Sequence, residues 1–433
     1  TDAYLSSILG IEEGETYNGE ILKERVTGDG SPDSQDIQTL YSNSGFLFAQ
    51  VSPVETSVIN DTINVEIRIS EDEKATIKRI TVQGNDKTND HVIMRSLFTR
   101  PGDLFSKDAI IRSIREIGQT GFFDAENIVP DVIPNYTDKT VDIEYTVAET
   151  GTSQIELQGG YGGGSFIGTL GLTFNNFSIA NIFNKDYYKP LPSGDGQQLS
   201  LRLQKSQFYS TYSFSFSEPW LGGKRPVQFS ASISHTKQFL FNPLTRNADK
   251  SRSFNITGIT FGLAKRLSVP DDYFTLSQAI SYQRYDLNNY NTGLFTFGDG
   301  FSNNLSYTIG LTRNNTRVDP IYPTGGSSFS ASIKFSPPWS FLDGVDYTAL
   351  KNEREENEAI QRDVNSTPKE VADATTRISE IDQERYRWLE FYKIKFKGEW
   401  YTQITKNLVL RPSAEFGFLG AYNNDRGVIP FER

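Results

Sequence analysis

The chain has 433 residues, enough for several domains. It carries 43 Lys and Arg residues against 54 Asp and Glu residues, and the net charge of −11 argues against the basic surface that binds nucleic-acid phosphates. The absence of cysteine excludes disulfides and thiolate chemistry. The N-terminal residues 1–4 (TDAY) show no signal peptide, and we therefore expect a mature or truncated chain.

The first third of the chain contains an internal repeat. Residues 45–49 (GFLFA) are echoed by residues 121–125 (GFFDA), and residues 65–69 (VEIRI) are echoed at the same offset by residues 141–145 (VDIEY). Two blocks that stay in register without a gap predict two related domains, at residues 1–73 and 74–150.

The second copy has the pattern of a complete β-α-α-β-β unit. The periodicity predicts, in chain order, a strand at 75–82, helices at 89–98 and 106–119, and strands at 125–133 and 140–147. Ser106 is the expected N-cap of the second helix. The first copy lacks its opening strand, because the chain starts inside its first helix. A Gly/Asp/Ser/Pro insert at 27–34 lengthens its second helix or the approach to that helix.

From residue 151 onward, apolar and polar residues alternate, most clearly at 328–336 (SFSASIKFS). Eleven strands are predicted, centred on 153–161, 166–175, 197–206, 209–218, 227–236, 253–264, 274–285, 303–313, 327–336, 388–400 and 408–418. Most reach the ~9–11 residues that cross a bilayer at a barrel tilt. Soluble sandwich strands are shorter, with a mode of about 5–6. We therefore predict that residues 151–433 form the N-terminal portion of an antiparallel transmembrane β-barrel.

An odd number of strands is unusual for a bacterial barrel, so we expect a C-terminal portion to be missing. One connection, at about 343–386, is long and charged, and it contains helical texture such as 350–356 (LKNEREE). Strand parity predicts that this insert is extracellular, on the same side as the first hairpin turn at 162–164. Its plainest interpretation is a solvated loop.

Enzymatic chemistry has little support in the sequence. The two histidines, His91 and His235, lie outside any triad or zinc motif. The glycine-rich stretch at 159–164 (GGYGGG) superficially suggests a phosphate-binding loop, but a hairpin rather than a helix follows it. We therefore expect no catalytic residue, no metal site and no cofactor.

Two turns, taken together with the repeats, resemble those of a known family. Residues 217–223 (SEPWLGG) and 317–326 (RVDPIYPTGG) resemble the turns after the fourth and before the ninth barrel strand of the BamA family of outer-membrane protein assembly factors. The repeated units are similar to its POTRA domains. The resemblance covers essentially the whole chain and implies sixteen strands, with an Arg-Gly-aromatic loop that only begins at 421–433. The insert at 353–385 and the connection at 178–196 are not part of the family pattern.

The resemblance implies an outer-membrane protein with POTRA domains in the periplasm. Its partners would be nascent outer-membrane β-barrel proteins, accessory periplasmic lipoproteins and outer-membrane lipid. It also implies a lateral gate, in which a weakly paired first strand accepts a substrate strand by β-augmentation. The residues themselves show only a glycine-rich first strand, for which a permanent barrel wall is the alternative. The candidate template residues are Ser153, Gln154, Ile155, Glu156, Leu157, Gln158, Gly159 and Gly160.

The POTRA-like units offer a second candidate surface. Their second strands, predicted near 47–51 and 125–130, could lie at sheet edges and capture extended chains or lipoproteins, unless neighbouring segments cover those edges. The candidate contact residues are Leu47, Phe48, Ala49, Gln50 and Val51 in the first unit and Ala125, Glu126, Asn127, Ile128 and Val129 in the second.

Three other functions remain open at this point. A two-partner secretion transporter combines POTRA units with a barrel and exports a protein through its lumen. A passive porin or receptor barrel rarely needs the two repeats. A soluble β-sandwich adhesin would have shorter strands and would not need the two family-like turns.

Overall fold

The computed structural model describes residues 2–28, 34, 36–151, 153–162, 164–188, 191–223, 226–293, 295–318, 323–405 and 408–427. The chain divides into two compact units, Thr1–Thr152 with Asn175–Gly196, and Ser153–Phe174 with Gln197–Arg433. Most of the predicted insert at 27–34 and the centre of the predicted turn at 317–326 lie outside the described residues. No helix in the described ranges is both long and apolar enough to cross a membrane.

The first repeat consists of three helices and a β-hairpin. Its elements are α1 (Asp2–Leu9), α2 (Gly19–Thr27), α3 (Ile37–Asn43), β1 (Gln50–Ile59) and β2 (Thr62–Ser70). The side chains of Leu22, Val26, Ile37 and Val51 form a small buried core between the helices and the hairpin. Polar side chains cap the N-termini of helices in this repeat; for example, the Asp36 carboxylate accepts the Thr39 N–H at 2.7 Å.

The second repeat has the predicted β-α-α-β-β order. Its elements are β3 (Thr76–Gln83), α4 (Asp90–Ser96), α5 (Lys107–Gln119), β4 (Val129–Asn135) and β5 (Thr140–Thr146). As expected, the Ser106 hydroxyl caps α5 by accepting the Ala109 N–H. The strands form a sheet in the order β3-β5-β4, and the central strand β5 places Ile143 and Tyr145 in the core against α5.

The second unit is built on one antiparallel sheet. Its strands are β6 (Ser153–Gly162), β7 (Ser165–Phe177), β8 (Gln197–Ser206), β9 (Tyr209–Glu218), β10 (Val227–Asn242), β11 (Asn247–Arg266), β12 (Phe274–Asn288), β13 (Gly300–Asn314), β14 (Arg317–Val318), β15 (Pro323–Phe335), β16 (Tyr392–Thr405), β17 (Leu408–Leu410) and β18 (Ser413–Gly420). All eleven predicted strands are present. The last is split into β17 and β18, and the two-residue β14 was not predicted. Long strands are hydrogen-bonded in chain order from β6 to β16.

The two faces of this sheet differ in polarity. Ile233 of β10 lies opposite Phe214 of β9 and Ile259 of β11, whereas its neighbour Ser232 lies opposite Ser215. Ile233 is 45% exposed, and the other large side chains on its face are similarly uncovered. An exposed apolar face opposite a polar one is the arrangement of a strand wall bathed in lipid on one side. We refer to these as the apolar face and the polar face.

One turn of the sheet requires glycine for a steric reason. Gly326 has φ +87°, and a Cβ there would lie 2.3 Å from the carbonyl oxygen of Asn315. The Asn315 side chain accepts the Ser327 N–H at 2.9 Å and so fixes the chain just after the glycine. The final glycine of the family-like turn is therefore required by the backbone.

The charged insert forms a helical hairpin. Helix α6 (Tyr347–Arg362) packs antiparallel to α7 (Pro368–Arg385), which begins with a capping box between Thr367 and Glu370. Charged pairs cross between the helices, with Arg354 2.9 Å from Asp382 and Arg377 2.7 Å from Glu353. The predicted helical texture is confirmed, but the segment is an ordered element and not a plain loop.

A buried arginine holds the segment 421–427 against the end of this insert. Arg426 is 2% exposed and lies 3.0 Å from the buried carboxylate of Glu390. Its guanidinium group also donates to the Trp388 carbonyl, and its own carbonyl accepts from Arg385 at 2.7 Å. At the surface, the Lys351 ammonium donates to Asp425 at 2.9 Å and lowers the pKa of that carboxyl group.

Truncating the core of the second repeat is expected to destabilise it. Ile143 is fully buried, so Ile143→Ala leaves a cavity that costs about 2–5 kcal/mol, whereas Ile143→Val costs about 0.5–1.5 kcal/mol. Hydrogen exchange of the α5 amides measures the difference in the full chain. Equal protection in the two variants would contradict this packing.

Removing the buried arginine is expected to free the segment 421–427. Arg426→Met leaves the Glu390 carboxylate without its counter-charge, and breaking a buried pair in this way costs about 3–5 kcal/mol. Hydrogen exchange should therefore rise in peptides spanning 385–391 and 421–427 but remain unchanged in the second repeat. Adding Glu390→Gln should restore part of the protection. Unchanged exchange in the single variant would show that the pair does not hold the segment.

Candidate strand-addition site

Strand β6 lies at an edge of the large sheet. Within the described residues it pairs with β7 alone, in a register running from Ser153 opposite Phe174 to Gly162 opposite Ser165. Ile155 and Leu157 are 76% and 81% exposed, well above the apolar side chains of the interior strands. The second side of β6 therefore presents backbone N–H and C=O groups that another strand could pair with.

The candidate template residues divide between the two faces of β6. Ile155 and Leu157 lie on the apolar face opposite Leu172 and Leu170. Glu156 lies on the polar face, where its carboxylate accepts an N–H of Arg202 at 3.3 Å. The strand thus continues the two-faced pattern of the sheet to its edge, and a strand added there would need the same alternation.

The glycines of β6 are not required by packing. A Cβ at Gly160 would meet no atom within 4 Å, and a Cβ at Gly159 would approach only the ring of Phe166, at 3.0 Å. Both positions also have ordinary strand backbone with no positive φ. Glycine there lowers the pairing strength of the strand because it adds backbone entropy and offers no side chain to a cross-strand neighbour.

An apolar groove runs beside this edge. It has a volume of about 610 Å³, and its apolar lining includes Leu157, Phe166, Leu170, Leu203 and Tyr212 from β6 to β9. The groove lies on the apolar face, where an added strand would place every second side chain. It could accommodate apolar side chains near the edge.

The predicted strand in the first repeat is wrong for three residues. Leu47, Phe48 and Ala49 lie in a turn before β1, and the side chains of Phe48 and Ala49 are buried. Phe48 packs into the core of the second repeat, so its apolar character serves domain packing. Gln50 and Val51 do lie on β1, which pairs only with β2 in the described chain, although the side chain of Val51 is buried.

The predicted strand in the second repeat is wrong in the same way. Residues Ala125–Asn127 form a 3-10 turn, begun by the Asp124 carboxylate, and Ile128 is buried. The strand β4 starts at Val129 and lies at the edge of its sheet. The strand therefore starts four residues later than predicted, because the chain still forms a turn at 125–127 after the buried corner that contains Phe122 and Phe123.

Prolines limit what the edge of β4 can bind. Pro130 and Pro134 have no N–H, so a strand that pairs with β5 must turn their nitrogen atoms toward its open edge. Of the positions 130, 132 and 134, only Val132 has a backbone N–H that can donate a hydrogen bond from the open edge. Strand β1 contains a single proline, Pro53, and retains more donors on its open edge.

The long connection between β7 and β8 packs against the second repeat, which its sequence did not predict. Asn89, just before α4, donates its backbone N–H to the Gly194 carbonyl at 2.9 Å and its side-chain N–H to Asp195 at 2.9 Å. His91 lies 3.4 Å from the same Asp195 carboxylate. His235 lies elsewhere and contacts the Thr257 hydroxyl at 2.9 Å. The described residues contain no group of three or more acidic or histidine side chains placed to bind a metal.

Two family models match the chain. The model described as the Omp85 superfamily domain matches residues 193–433, more than half of the chain. The POTRA model, described as a surface antigen variable number repeat, matches residues 1–72 and 75–150. These matches correspond to the large sheet and to the two repeats.

Several relatives are similar to the chain. The outer membrane protein assembly factor BamA of Nitratidesulfovibrio vulgaris is 28% identical over 167 residues, 37% of this chain and 20% of the relative. BamA of Neisseria meningitidis serogroup B is 24% identical over 338 residues, 73% of this chain and 39% of the relative. The chain thus spans between a fifth and two fifths of these relatives.

A solved structure shares the fold. The crystal structure of Haemophilus ducreyi BamA lacking POTRA domains 1–3 aligns with a TM-score of 0.60 at 17% identity, covering all of this chain and 70% of that one. The expected architecture of POTRA domains followed by a large antiparallel barrel-type sheet is therefore confirmed, as are the outer-membrane location and the periplasmic POTRA domains. The chain belongs to the Omp85 superfamily, as a member of its BamA family.

Proposed function

We propose that this protein folds and inserts β-barrel proteins into the outer membrane, with β6 as the template for the incoming strand. The observation that carries the proposal is the pair of glycines in β6, Gly159 and Gly160, which packing does not require and which weaken any pairing that this strand makes. The relatives named as outer membrane protein assembly factors support the same activity.

The driving force of this reaction would be backbone pairing. β6 has 10 residues, and in an antiparallel ladder about half of them direct their N–H and C=O groups toward one side. In lipid these groups have no water to bind, so each unpaired group costs several kcal/mol. A client strand that supplies the partners removes this cost. The weakly pairing glycines then allow the client to leave once its own strands have paired.

The proposed reaction has no enzymatic step and uses neither a metal nor a cofactor. Its free energy comes from burial and strand pairing in the client itself. We also propose that nascent barrel proteins or accessory periplasmic lipoproteins bind the edge strands of the POTRA domains. The edge of β1 is the better candidate, because Pro130 and Pro134 remove two outward donors from β4.

Site-directed photocrosslinking in cells tests the template directly. A photoreactive residue at Gln154, Glu156 or Gln158 should form adducts with nascent outer-membrane barrel proteins, because these positions lie beside the open edge. The matched control is Lys395, which lies on the polar face of β16 between Ser332 of β15 and Gly417 of β18. Adducts are expected at the β6 positions and not at the control.

Two other outcomes would contradict the proposal. Adducts with a single large secreted protein, formed from polar-face positions on several strands, would instead indicate a two-partner secretion transporter. Absence of client adducts at all three β6 positions, with the protein correctly located in the outer membrane, would exclude β6 as the template.

A glycine substitution tests the role of weak pairing. Gly160→Val introduces a β-branched side chain where no atom lies within 4 Å, so it strengthens the strand without a clash. Host-protein scales of strand propensity span about 1 kcal/mol, which predicts that client adducts at β6 persist about fivefold longer in a pulse-chase. Ser232→Val, on the polar face of the interior strand β10, is the control. Unchanged adduct lifetimes in Gly160→Val would show that the glycine does not set the release rate.

A further inference from the structure

The apolar face carries a second cavity, near the end of the sheet from which the insert extends. Its volume is about 470 Å³, and its wall includes Ile280, Tyr307 and Phe335, which lie side by side on β12, β13 and β15. The rest of the wall includes Pro338, between β15 and the insert, and Tyr422 of the segment 421–427. The cavity is continuous with the face of the sheet that lipid covers, and its lining side chains are mostly apolar. It therefore has the character of an acyl-chain site.

A layer of amphipathic aromatic residues lies next to the cavity. The Trp339 and Trp388 rings are 4.6 Å apart, and Tyr282 lies 6.4 Å from Trp388. The Tyr282 hydroxyl donates to the Asn303 side chain at 2.9 Å. Beside Trp339, Phe341 is 73% exposed. Tryptophan and tyrosine collect where acyl chains meet headgroups, so this layer marks the membrane interface.

Two arginines form the next layer along the strands. Arg284 follows Tyr282 on the same face of β12, and Arg387 precedes Trp388. Both guanidinium groups lie over the ring of Phe301, at 4.4 Å and 5.9 Å from its centroid. Arg284 also pairs with Asp286 at 2.9 Å. Ile280 and Arg284 are four residue steps apart along β12, a distance of about 13 Å.

The order of the strands places these layers at the outer surface. The POTRA domains are periplasmic, so β6 enters the membrane from that side and its hairpin turn to β7 lies outside. Counting strands onward, β12 and β15 both end on the outer side, where the insert begins. The cavity, the aromatic layer and the arginine layer therefore follow one another in this order from the bilayer core toward the outer headgroups.

We propose that this stack binds an anionic phospholipid of the outer leaflet. One acyl chain occupies the cavity, Trp339 and Trp388 border its upper end, and the phosphate group lies near Arg284 and Arg387. Arginine favours phosphate because its N–H groups match the phosphate oxygens. The bound lipid would connect the insert and the segment 421–427 to the bilayer. This inference rests on the outer-membrane location and not on strand addition at β6.

Tryptophan quenching by brominated lipids tests the site. Trp220→Phe with Trp400→Phe leaves Trp339 and Trp388 as the two tryptophans among the 433 residues. The protein is reconstituted in phosphatidylcholine with either dibrominated phosphatidylglycerol or dibrominated phosphatidylcholine as the quencher. A surface cation contributes about 1 kcal/mol toward an anionic lipid, so phosphatidylglycerol should bind beside these tryptophans about fivefold more tightly than phosphatidylcholine.

Charge variants distinguish lipid binding at this site from nonspecific contact between the protein and the membrane. The double variant Arg284→Gln with Arg387→Gln should remove the preference for phosphatidylglycerol over phosphatidylcholine. The double variant Arg284→Lys with Arg387→Lys should keep it. Lys237→Gln, which removes another cation from the same face near the outer end of β10, should also leave it unchanged. Equal quenching by the two lipids in the parent protein would overturn the proposal, as would a preference that survives the double glutamine variant.

Discussion

The large sheet depends on one constraint, the pairing of every backbone N–H and C=O group that lies in lipid. Water cannot satisfy these groups inside a bilayer, so a strand there needs a partner on each side. The long strands from β7 to β15 meet this condition, because each has a hydrogen-bonded neighbour on both sides. β6 differs from them because Gly159 and Gly160, which packing does not require, weaken any pairing that this strand makes. The proposed function follows from this difference between one strand and its neighbours.

The POTRA domains show how the same kind of edge can be restricted in water. An open strand edge in the periplasm invites unwanted pairing, and prolines are one way of blunting it. Pro130 and Pro134 remove two of the outward donors of β4 while the ladder to β5 remains intact. The edges of β1, β4 and β6 are therefore chemically different, and of these three β6 alone combines a membrane setting with outward positions that all retain their N–H groups.

The alternation of apolar and polar residues predicted the presence of the strands well and the positions of their ends less well. The bounds of β8 and β9 matched the prediction because a period-two pattern is a property of adjacent residues. β10 and β11 extend further, to 16 and 20 residues, since beyond the membrane one face no longer needs to be apolar. Phe48 was mistaken for a strand residue, although it fills a core formed by distant segments.

The long-range contacts had no signal in the sequence. The Arg426–Glu390 pair joins residues from two separate loops, and the cavity beside Tyr307 is assembled from three strands, residues 336–338 and the segment 421–427. Charge and apolar character were visible at each position, but the partners were not. The insert itself was recognised as helical, while its role as an ordered element depends on this burial. The position and alternation of a strand such as β6 could be predicted from adjacent residues, whereas sites made by packing could not.

Disulfide scanning between β6 and a client strand measures the central claim most directly. The 433 residues contain no cysteine, so a single cysteine at Ile155, Glu156 or Leu157 has no competing thiol among them. Cysteines are then placed one at a time along the last strand of a nascent outer-membrane barrel protein. Directly opposed residues have Cβ atoms about 4.5–5.5 Å apart, so strand addition predicts one best client partner for each position, and that partner shifts by one residue with each step along β6. Yields that are uniform along the client strand, or absent at all three positions, would contradict the account.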